Sequence, residues 1–294
     1  LLTNYGYQTS FFHGADNGSM GFQAFAKTSG FQTYYGRKEY EDDKEFGGKS
    51  DFDGTWGIWD EPFLQFFCHT LGKMRQPFMS AVFTLSSHHP FAIPKQYKDV
   101  FLDEGLYPLH KCVKYADYSL KRFFETASKQ PWYNNTIFVI TADHASSRTT
   151  HEEYKTELGG FRVPILFFDP SGEIPTGCRK GVAQQIDIMP TLLNYIGYDK
   201  PYVAFGKNLL DENICHWAFN YNNIPQLVVD DYVLQFDGNH VVALYNYNKD
   251  KLLKHNLMGD TAKVNTMTRY LKAILQSINE RMKNDELTYK TTKQ

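Results

Sequence analysis

The sequence predicts an α/β protein with a mostly parallel central sheet, helices on both faces of that sheet, and a small C-terminal antiparallel β element with a terminal helix. Three observations lead to this fold class. Strand-like apolar runs alternate with segments of helical spacing through most of the chain. The last third instead carries two strand-like runs and one long helical segment. The composition, 42% hydrophobic and 16% aromatic over 294 residues, is sufficient for a large buried core.

The first third of the chain begins the alternation. Residues 8–12 form a strand-like run, and helical spacing follows over residues 20–29. Gly and Asp are frequent in residues 34–55, which predicts a long surface loop. Helical spacing returns over residues 61–73 and leads into a second predicted strand, residues 78–85.

The middle of the chain repeats this order. Apolar residues at intervals of three and four predict an amphipathic helix over residues 107–129, followed by a strand at 136–141. Residues 163–168 predict another strand, and residues 186–196 a helix that tolerates a proline in its first turn. Such repetition is typical of a parallel sheet.

The C-terminal part changes character. Residues 227–236 and 240–246, separated by Asp, Gly and Asn, predict a hairpin, and residues 261–283 predict a helix. We therefore expect a catalytic α/β core over residues 1–225 and a C-terminal hairpin and helix over residues 226–294, packed on that core.

Charge and cysteine content exclude several classes. The net charge is −2 and the Lys and Arg residues are scattered, which argues against a nucleic-acid partner. The cysteines, Cys68, Cys112, Cys178 and Cys215, have no CxxC spacing and so indicate neither a zinc knuckle nor a redox motif. No apolar run reaches the roughly 18 residues that a membrane span requires. Because the chain begins LLTNYGYQTSFFHG, we expect an N-terminal part of the domain to precede it.

The most informative segment is IFVITADHASS, residues 137–147. A buried strand ends there in Asp143 and His144, at the position where open α/β sheets bind ligands. A carboxylate and an imidazole suit a divalent cation. Capping by Asp143 and a structural role for His144 are the alternatives. Two neighbouring ligands do not complete a metal site, so other ligands must come from elsewhere.

Several motifs in order resemble the sulfatase-like branch of the alkaline phosphatase superfamily: YADYSLKRFFE, TADH, VPILFFDP, QQIDIMPTLLNYIGY and FGKNLL. GYQTSFFHG, WGIWDEPFLQF and TLSSHHPF are most similar to its lipoteichoic acid synthase and phosphoglycerol transferase group. The resemblance implies an alkaline phosphatase/sulfatase-like fold that lacks its N-terminal part here. It also implies a catalytic domain in the periplasm or at the cell surface, anchored in the membrane by missing N-terminal helices.

The resemblance assigns roles to individual residues. Asp143 and His144 match metal ligands, for Mn²⁺ first, with Mg²⁺, Zn²⁺ or Ca²⁺ as alternatives. His88, in the sequence HHPF, matches a histidine that contacts the transferred phosphoryl group or the leaving group, and its proton suits an alkoxide near neutral pH. The alternative for His88 is a loop histidine without a role.

Four further residues are candidates for substrate binding. His13, Asp16 and Asn17 lie where related synthases line the headgroup pocket, although Asn17 before a glycine is also typical of a plain turn. Arg148 is placed to neutralise a substrate anion, with an ordinary surface role as the alternative.

The chain departs from the family pattern in two places. Met20, Gly21, Phe22 and Gln23 stand where related enzymes carry the Trp and Arg that clamp glycerol phosphate, and a lost Arg is a lost bidentate phosphate donor. The segment with the nucleophilic threonine and the first acidic metal ligand, which the resemblance places upstream of the HG sequence at His13, is expected in the part of the protein before Leu1.

The resemblance thus implies a metal-dependent phosphoryl-group transferase, of the phosphoglycerol or phosphoethanolamine type. It would act on phospholipid headgroups through a phospho-threonine intermediate. A sulfatase or phosphodiesterase that hydrolyses a soluble anionic ester is one alternative, and a metal-free binding pseudoenzyme is another. Adjacent acidic pairs such as Asp42 with Asp43 are more typical of a solvated face than of a glycosidase.

Because we expect the nucleophile segment to lie upstream of these 294 residues, we expect the 294-residue chain alone to be inactive. The measurement is phosphodiesterase turnover by the purified chain with Mn²⁺. Turnover above that of a preparation carrying a substitution at Asp143 would contradict the expectation.

Overall fold

The computed structural model describes residues 1–102, 105–146 and 148–289. It divides into two compact units, Leu1–Thr136 and Ile137–Gln294. The predicted boundary between residues 225 and 226 lies inside the second unit and stays a prediction. Ser147, the last residue of the IFVITADHASS segment, lies outside the described residues.

A three-stranded parallel sheet forms the centre of the first unit. Its strands are β1 (Gln8–His13), β2 (Thr33–Tyr35) and β3 (Phe78–Phe83), in the order β2-β1-β3. The central strand β1 is the most buried, and its Phe12 is fully buried. Thr9, Ser10, Phe12 and His13 are buried and lie on both faces of β1, as expected for the central strand of a parallel sheet.

Four helices accompany this sheet: α1 (Phe22–Thr28), α2 (Arg37–Glu41), α3 (Asp60–Lys73) and α4 (Leu109–Ala127). The first turn of α3 contains two acidic residues and a proline, which favour a helix N-terminus. The buried residues of α4 recur every three or four positions, and this stripe packs against α3. Phe67 of α3 stacks on Phe123 of α4 with ring centroids 5.6 Å apart.

The second unit opens with a two-stranded antiparallel sheet, β4 (Phe138–Thr141) and β5 (Ile165–Phe168). Helix α5 (Ile188–Tyr195) follows, with Pro190 in its first turn, where the missing N–H costs no intrahelical bond.

A four-stranded antiparallel sheet and the last helix complete the second unit. The strands are β6 (Trp217–Tyr221), β7 (Pro225–Val229), β8 (Tyr232–Phe236) and β9 (Val241–Asn246), paired in that order, and the helix is α6 (Thr261–Lys283). Met267, Leu271 and Ile274 project from one face of α6 into a core formed with the sheet. Their spacing of four and three residues is that of a single helix face.

The predicted fold class is confirmed: a parallel sheet with helices is joined by a C-terminal antiparallel sheet and a terminal helix. Three local predictions are wrong. Strands β4 and β5 were expected to belong to a parallel sheet, but they pair with each other in antiparallel orientation. The predicted loop 34–55 contains the end of β2 and all of α2. The predicted strand 227–236 is two strands, because the chain turns at Asp230, whose φ of 50° lies in the left-handed region.

Among the described residues, no helix is both long and apolar enough to cross a membrane.

Candidate functional site

The loops that follow β1 and β3 lie at the carboxyl edge of the parallel sheet in the first unit. The loop after β1 and the segment before α3 meet where the Ile58 N–H donates to the Gly14 carbonyl oxygen, at 2.9 Å. A Cβ atom at Gly57 would lie 2.2 Å from that oxygen, so only glycine allows this approach. The loop after β3 leaves the sheet beside β1, since His13 and Phe83 are paired in register.

His13 is the last residue of β1 and is 4% exposed. Its Nδ1 bonds the Phe83 carbonyl oxygen at 2.9 Å, and its ring packs against Phe22 with centroids 4.4 Å apart. Burial lowers the pKa of His13, and the carbonyl bond opposes that shift less strongly. His13 is therefore a neutral imidazole whose Nδ1 joins β1 to β3.

Asp16 follows in the loop after β1, and its side chain is 74% exposed. Its Oδ1 accepts from the Arg37 guanidinium at 3.2 Å. The same guanidinium donates through Nε to Glu41 at 2.7 Å and lies 3.8 Å from the centre of the Phe52 ring. The charge of Arg37 is thus shared by two carboxylates.

Asn17 ties this loop to the start of α2. Its amide donates to both oxygens of the Glu39 carboxylate, at 3.1 and 2.9 Å, and its Oδ1 accepts the Lys38 backbone N–H at 3.3 Å. Glu39 also accepts the Gly36 N–H at 2.7 Å. These bonds give Asn17 a structural function, and its predicted contact with substrate stays a prediction.

His88 lies in the loop after β3 with its side chain exposed. Its Nδ1 bonds the carbonyl oxygen of His89 at 3.1 Å. Since a carbonyl only accepts, Nδ1 carries the proton and Nε2 is left for another partner. The Trp56 ring lies against His88 with centroids 4.7 Å apart.

Asp60, the first residue of α3, forms hydrogen bonds to the start of the loop that carries His88. The two carboxylate oxygens of Asp60 accept the backbone N–H groups of Leu85 and Ser86, at 2.9 and 3.1 Å. The Asp60 N–H in turn donates to the Ser86 hydroxyl at 3.0 Å. Desolvation raises the pKa of Asp60 to about 6, although the amide bonds act in the opposite direction.

In the second unit, Asp143 and His144 follow β4 directly, and both are exposed. Asp143 Oδ2 and His144 Nε2 are 3.4 Å apart, so the two side chains face each other. Asp143 Oδ1 also accepts the His144 backbone N–H at 2.9 Å.

The donor set of this pair fits a divalent cation. His144 Nδ1 bonds the Ala145 carbonyl oxygen at 2.9 Å, which fixes the proton on Nδ1 and leaves the Nε2 lone pair toward the carboxylate. Asp143 Oδ2 and His144 Nε2 are then two acceptor atoms that lie side by side. In the described ranges 1–102, 105–146 and 148–289, no three His, Cys, Asp or Glu side chains come together as a metal site. The pair alone does not complete a metal site, and a cation held here would need further ligands.

The turn before α5 supports the segment that carries the pair. The side-chain amide of Gln185 donates to the Ala142 carbonyl oxygen at 2.6 Å and to that of Asp143 at 3.3 Å. Asp187, which is 1% exposed, accepts the backbone N–H groups of Gln184 at 2.9 Å and Lys207 at 2.7 Å. Burial raises the pKa of Asp187. The QQID and FGK motifs are thus connected through one carboxylate.

Arg148 lies four residues beyond His144 in the exposed segment after β4. Its backbone N–H donates to the Ser146 hydroxyl at 3.1 Å. The structure therefore brings Asp143 and His144 together within the second unit, with Arg148 close to them in the chain. His13, Asp16, Asn17 and His88 belong to the first unit, at the carboxyl edge of its sheet.

Three residues were missed by the sequence analysis: Trp56, Asp60 and Asp187. Each is common in an ordinary structural setting, as a core aromatic or as an acidic residue at a helix start. The sequence signal for Asp60 was its place in WGIWDEP, directly before an apolar helical segment. The partners of these side chains are distant in the chain and became visible only in the fold.

The structure is thus that of an α/β protein with a carboxylate–imidazole pair directly after a strand. The sulfatase family model matches residues 1–198, and the chain belongs to this family.

Relatives and solved structures agree with this assignment. Lipoteichoic acid synthase 1 of Bacillus subtilis is 24% identical, over 97% of this chain and 43% of that protein. A Vibrio parahaemolyticus protein of the alkaline phosphatase superfamily has a TM-score of 0.80 at 25% identity, over 98% of this chain and 68% of that one. The lipoteichoic acid synthase LtaP of Listeria monocytogenes has a TM-score of 0.70 at 25% identity, over 84% of this chain and 64% of that one.

These relationships confirm the predicted resemblance and support an enzyme of the sulfatase-like superfamily. The chain spans less than half of the Bacillus subtilis relative, 43% of its length.

Asp60 gives the first unit a specific pH dependence. Its pKa of about 6 in the folded protein exceeds the ordinary 3.8, so the folded state binds the proton more tightly than the unfolded state. The associated stability is complete below about pH 4 and is lost as the pH rises through about 6. We expect the free energy of unfolding of the wild type, relative to Asp60→Asn, to fall by about 3 kcal/mol between about pH 4 and pH 7. Urea unfolding of both proteins measures this, and a difference that does not change with pH would contradict it.

Proposed function

We propose that the protein is a metal-dependent phosphoryl-group transferase that acts on phospholipid headgroups. The transferred group would be of the phosphoglycerol or phosphoethanolamine type. A threonine upstream of Leu1 would form a phospho-threonine intermediate, which an acceptor alcohol then resolves. The membership in the sulfatase family and the similarity to lipoteichoic acid synthases support the reaction class.

The facing pair Asp143 and His144 carries the proposal. Its two acceptor atoms are 3.4 Å apart and exposed, with the imidazole tautomer fixed by Ala145. These two side chains would hold a divalent cation, with Mn²⁺ as the first candidate and Mg²⁺, Zn²⁺ or Ca²⁺ as alternatives. When bound, the cation offsets negative charge on the phosphoester oxygens.

His88 would supply the proton for the leaving group. A phospholipid headgroup is lost from an alcohol oxygen, and an alkoxide is a poor leaving group unless it is protonated as the bond breaks. Because Nδ1–H stays bonded to the His89 carbonyl, the proton would be donated from Nε2 of the imidazolium form, which returns to the neutral Nδ1–H tautomer as the leaving oxygen is protonated. The exposed side chain permits contact with a large substrate.

The loop after β1 would surround the headgroup. Its Met20 is 78% exposed and stands in the region where related synthases carry the phosphate-clamping Trp and Arg. Arg37 is close by, but two carboxylates share its guanidinium. We therefore infer that Arg148 provides the anion contact and that the headgroup differs from an unmodified glycerol phosphate.

The proposal also places the enzyme outside the cytoplasm, in the periplasm or at the cell surface, with membrane helices upstream of Leu1. Its partners would be the phospholipid or another anionic ester, and no nucleic acid. The similarity to lipoteichoic acid synthases supports this placement. Hydrolysis of a soluble ester is the competing outcome in the substrate tests below.

Asp143→Asn and His144→Gln should each weaken Mn²⁺ binding by the full-length protein by about 100-fold, since each removes one ligand. Isothermal titration with Mn²⁺ measures the affinity. The matched control is His255→Gln, because His255 Nδ1 also lies 3.4 Å from a carboxylate, that of Asp250. The same Asp250 oxygen already accepts the His255 N–H at 2.7 Å, so this second pair should not contribute to binding. Unchanged Mn²⁺ affinity in both site variants would remove the basis of the enzyme proposal.

His88→Ala should reduce turnover of a phosphatidylglycerol analogue about 10²- to 10⁴-fold, the usual contribution of a general acid. Turnover of bis(p-nitrophenyl) phosphate should fall far less, because nitrophenolate leaves without protonation. Release of diacylglycerol and of nitrophenolate measures the two reactions. His240→Ala, at the exposed hairpin of β8 and β9, is the control for loss of a surface histidine. Equal losses on both substrates would exclude proton donation by His88.

A further inference from the structure

The carbonyl oxygen of His89 is the backbone acceptor that orients the His88 ring. His88 Nδ1 bonds this oxygen at 3.1 Å, and the indole N–H of Trp56 donates to the same oxygen at 2.6 Å. A carbonyl oxygen has two lone pairs, so both donors are accommodated at once. The indole thereby fixes the acceptor that sets the tautomer and direction of the His88 ring.

The Trp56 ring also contacts both histidines directly. The ring centroids are 4.7 Å apart for His88 and 5.6 Å apart for His89, with both pairs near perpendicular. Edge-to-face contacts of this kind are among the preferred aromatic arrangements. The indole therefore restricts rotation of the two imidazoles as well as the carbonyl between them.

Trp56 is itself held by a rigid turn. Asp53 Oδ1 accepts the backbone N–H groups of Thr55 at 2.7 Å, Trp56 at 2.7 Å and Gly57 at 3.1 Å. One carboxylate oxygen thus organises the three residues that present the indole. These bonds fix the backbone from which the Trp56 side chain projects, and a residue that positions another side chain requires such support.

The His88 loop has a second attachment that does not involve Trp56. Asp60 holds the amides of Leu85 and Ser86, at the start of the same loop. This division separates two tasks: Asp60 fixes where the loop leaves the sheet, and Trp56 fixes the direction of the imidazole. Loss of the indole N–H should therefore leave the fold in place.

We propose that Trp56 is a positioning residue for His88 and acts through the carbonyl oxygen of His89. The inference rests on the proposed function only in that it assumes a proton-donating His88. Trp56 takes no part in the chemistry. Its effect is to maintain the hydrogen bond from His88 Nδ1–H to the His89 carbonyl oxygen, so that His88 Nε2 would stay directed to the substrate.

Two substitutions separate the indole N–H from the bulk of the ring. Trp56→Phe keeps an aromatic ring and loses the donor. Trp56→His loses the larger ring but keeps a five-membered ring, whose Nε2 occupies the same position in the side chain as the indole nitrogen. With the full-length protein, Mn²⁺ and the phosphatidylglycerol analogue, we expect Trp56→Phe to lower kcat about tenfold at unchanged KM, the effect of about one hydrogen bond. Trp56→His should recover most of this loss.

Trp59→Phe is the matched control, since it makes the same change three residues along. The Trp59 ring contacts Tyr115, with centroids 6.1 Å apart. We expect a kcat close to that of the wild type. In a His88→Ala background, Trp56→Phe should cause no further loss, because an effect that passes through His88 disappears with it. An undiminished loss in that background, or no recovery by Trp56→His, would overturn the proposal.

The ring nitrogens of His88 provide a readout that does not depend on turnover. In ¹⁵N spectra the wild type should show a dominant Nδ1–H tautomer, and Trp56→Phe should shift His88 toward the mixture of an unrestrained histidine. Identical His88 shifts in the two proteins would also overturn the positioning role. If His88→Ala left kcat unchanged, the proposed function would fail instead, and these spectra would still decide the role of Trp56.

Discussion

The buried carboxylate of Asp60 is the interaction on which the first unit depends. It joins the start of α3 to the end of β3, and without it two backbone N–H groups would lie buried and unpaired. The bonds to both amides favour the ionised carboxylate, whereas desolvation favours the neutral acid and is the larger effect, so the pKa of Asp60 is raised to about 6. In the second unit, the buried carboxylate of Asp187 likewise accepts two backbone N–H groups, those of Gln184 and Lys207. There the segment after β4 is instead bonded by the Gln185 side chain, which lies two residues before Asp187.

The extent to which the sequence predicted the fold follows from the range of the interactions involved. Long helices such as α4 and α6 were predicted within a few residues, because a stripe at intervals of three and four is a local property. The turn at Asp230 was missed since apolar residues flank it on both sides and only its positive φ separates β7 from β8. Strand β2 was missed because three residues carry too little pattern, and its pairing with β1 stabilises it.

The candidate site divides in the same way. Asp143 and His144 are neighbours in the chain, so a strand followed by that pair was enough to predict their common direction. The contacts of Asp16 with Arg37 and of Asn17 with Glu39 join residues about twenty positions apart and require β1 and β2 to lie side by side. These contacts change the meaning of the loop after β1. Asp16 and Asn17 bond residues of α2, whereas Met20 of the same loop is 78% exposed.

The thioether of Met20 differs from the guanidinium of an arginine in the ligand groups that it contacts favourably. Arg binds a phosphate oxygen through a fixed fork of donors, whereas Met offers a flexible apolar surface with a weak acceptor. The neighbouring Arg37 does not restore the missing donor, because Glu41 and Asp16 compensate its charge and Phe52 covers one face of the guanidinium. Under the proposed function, recognition of the phosphate group would therefore rest on a cation held by Asp143 and His144 and on Arg148. The contribution of the loop after β1 to selectivity would then lie in shape and apolar contact with the part of the headgroup beyond the phosphate.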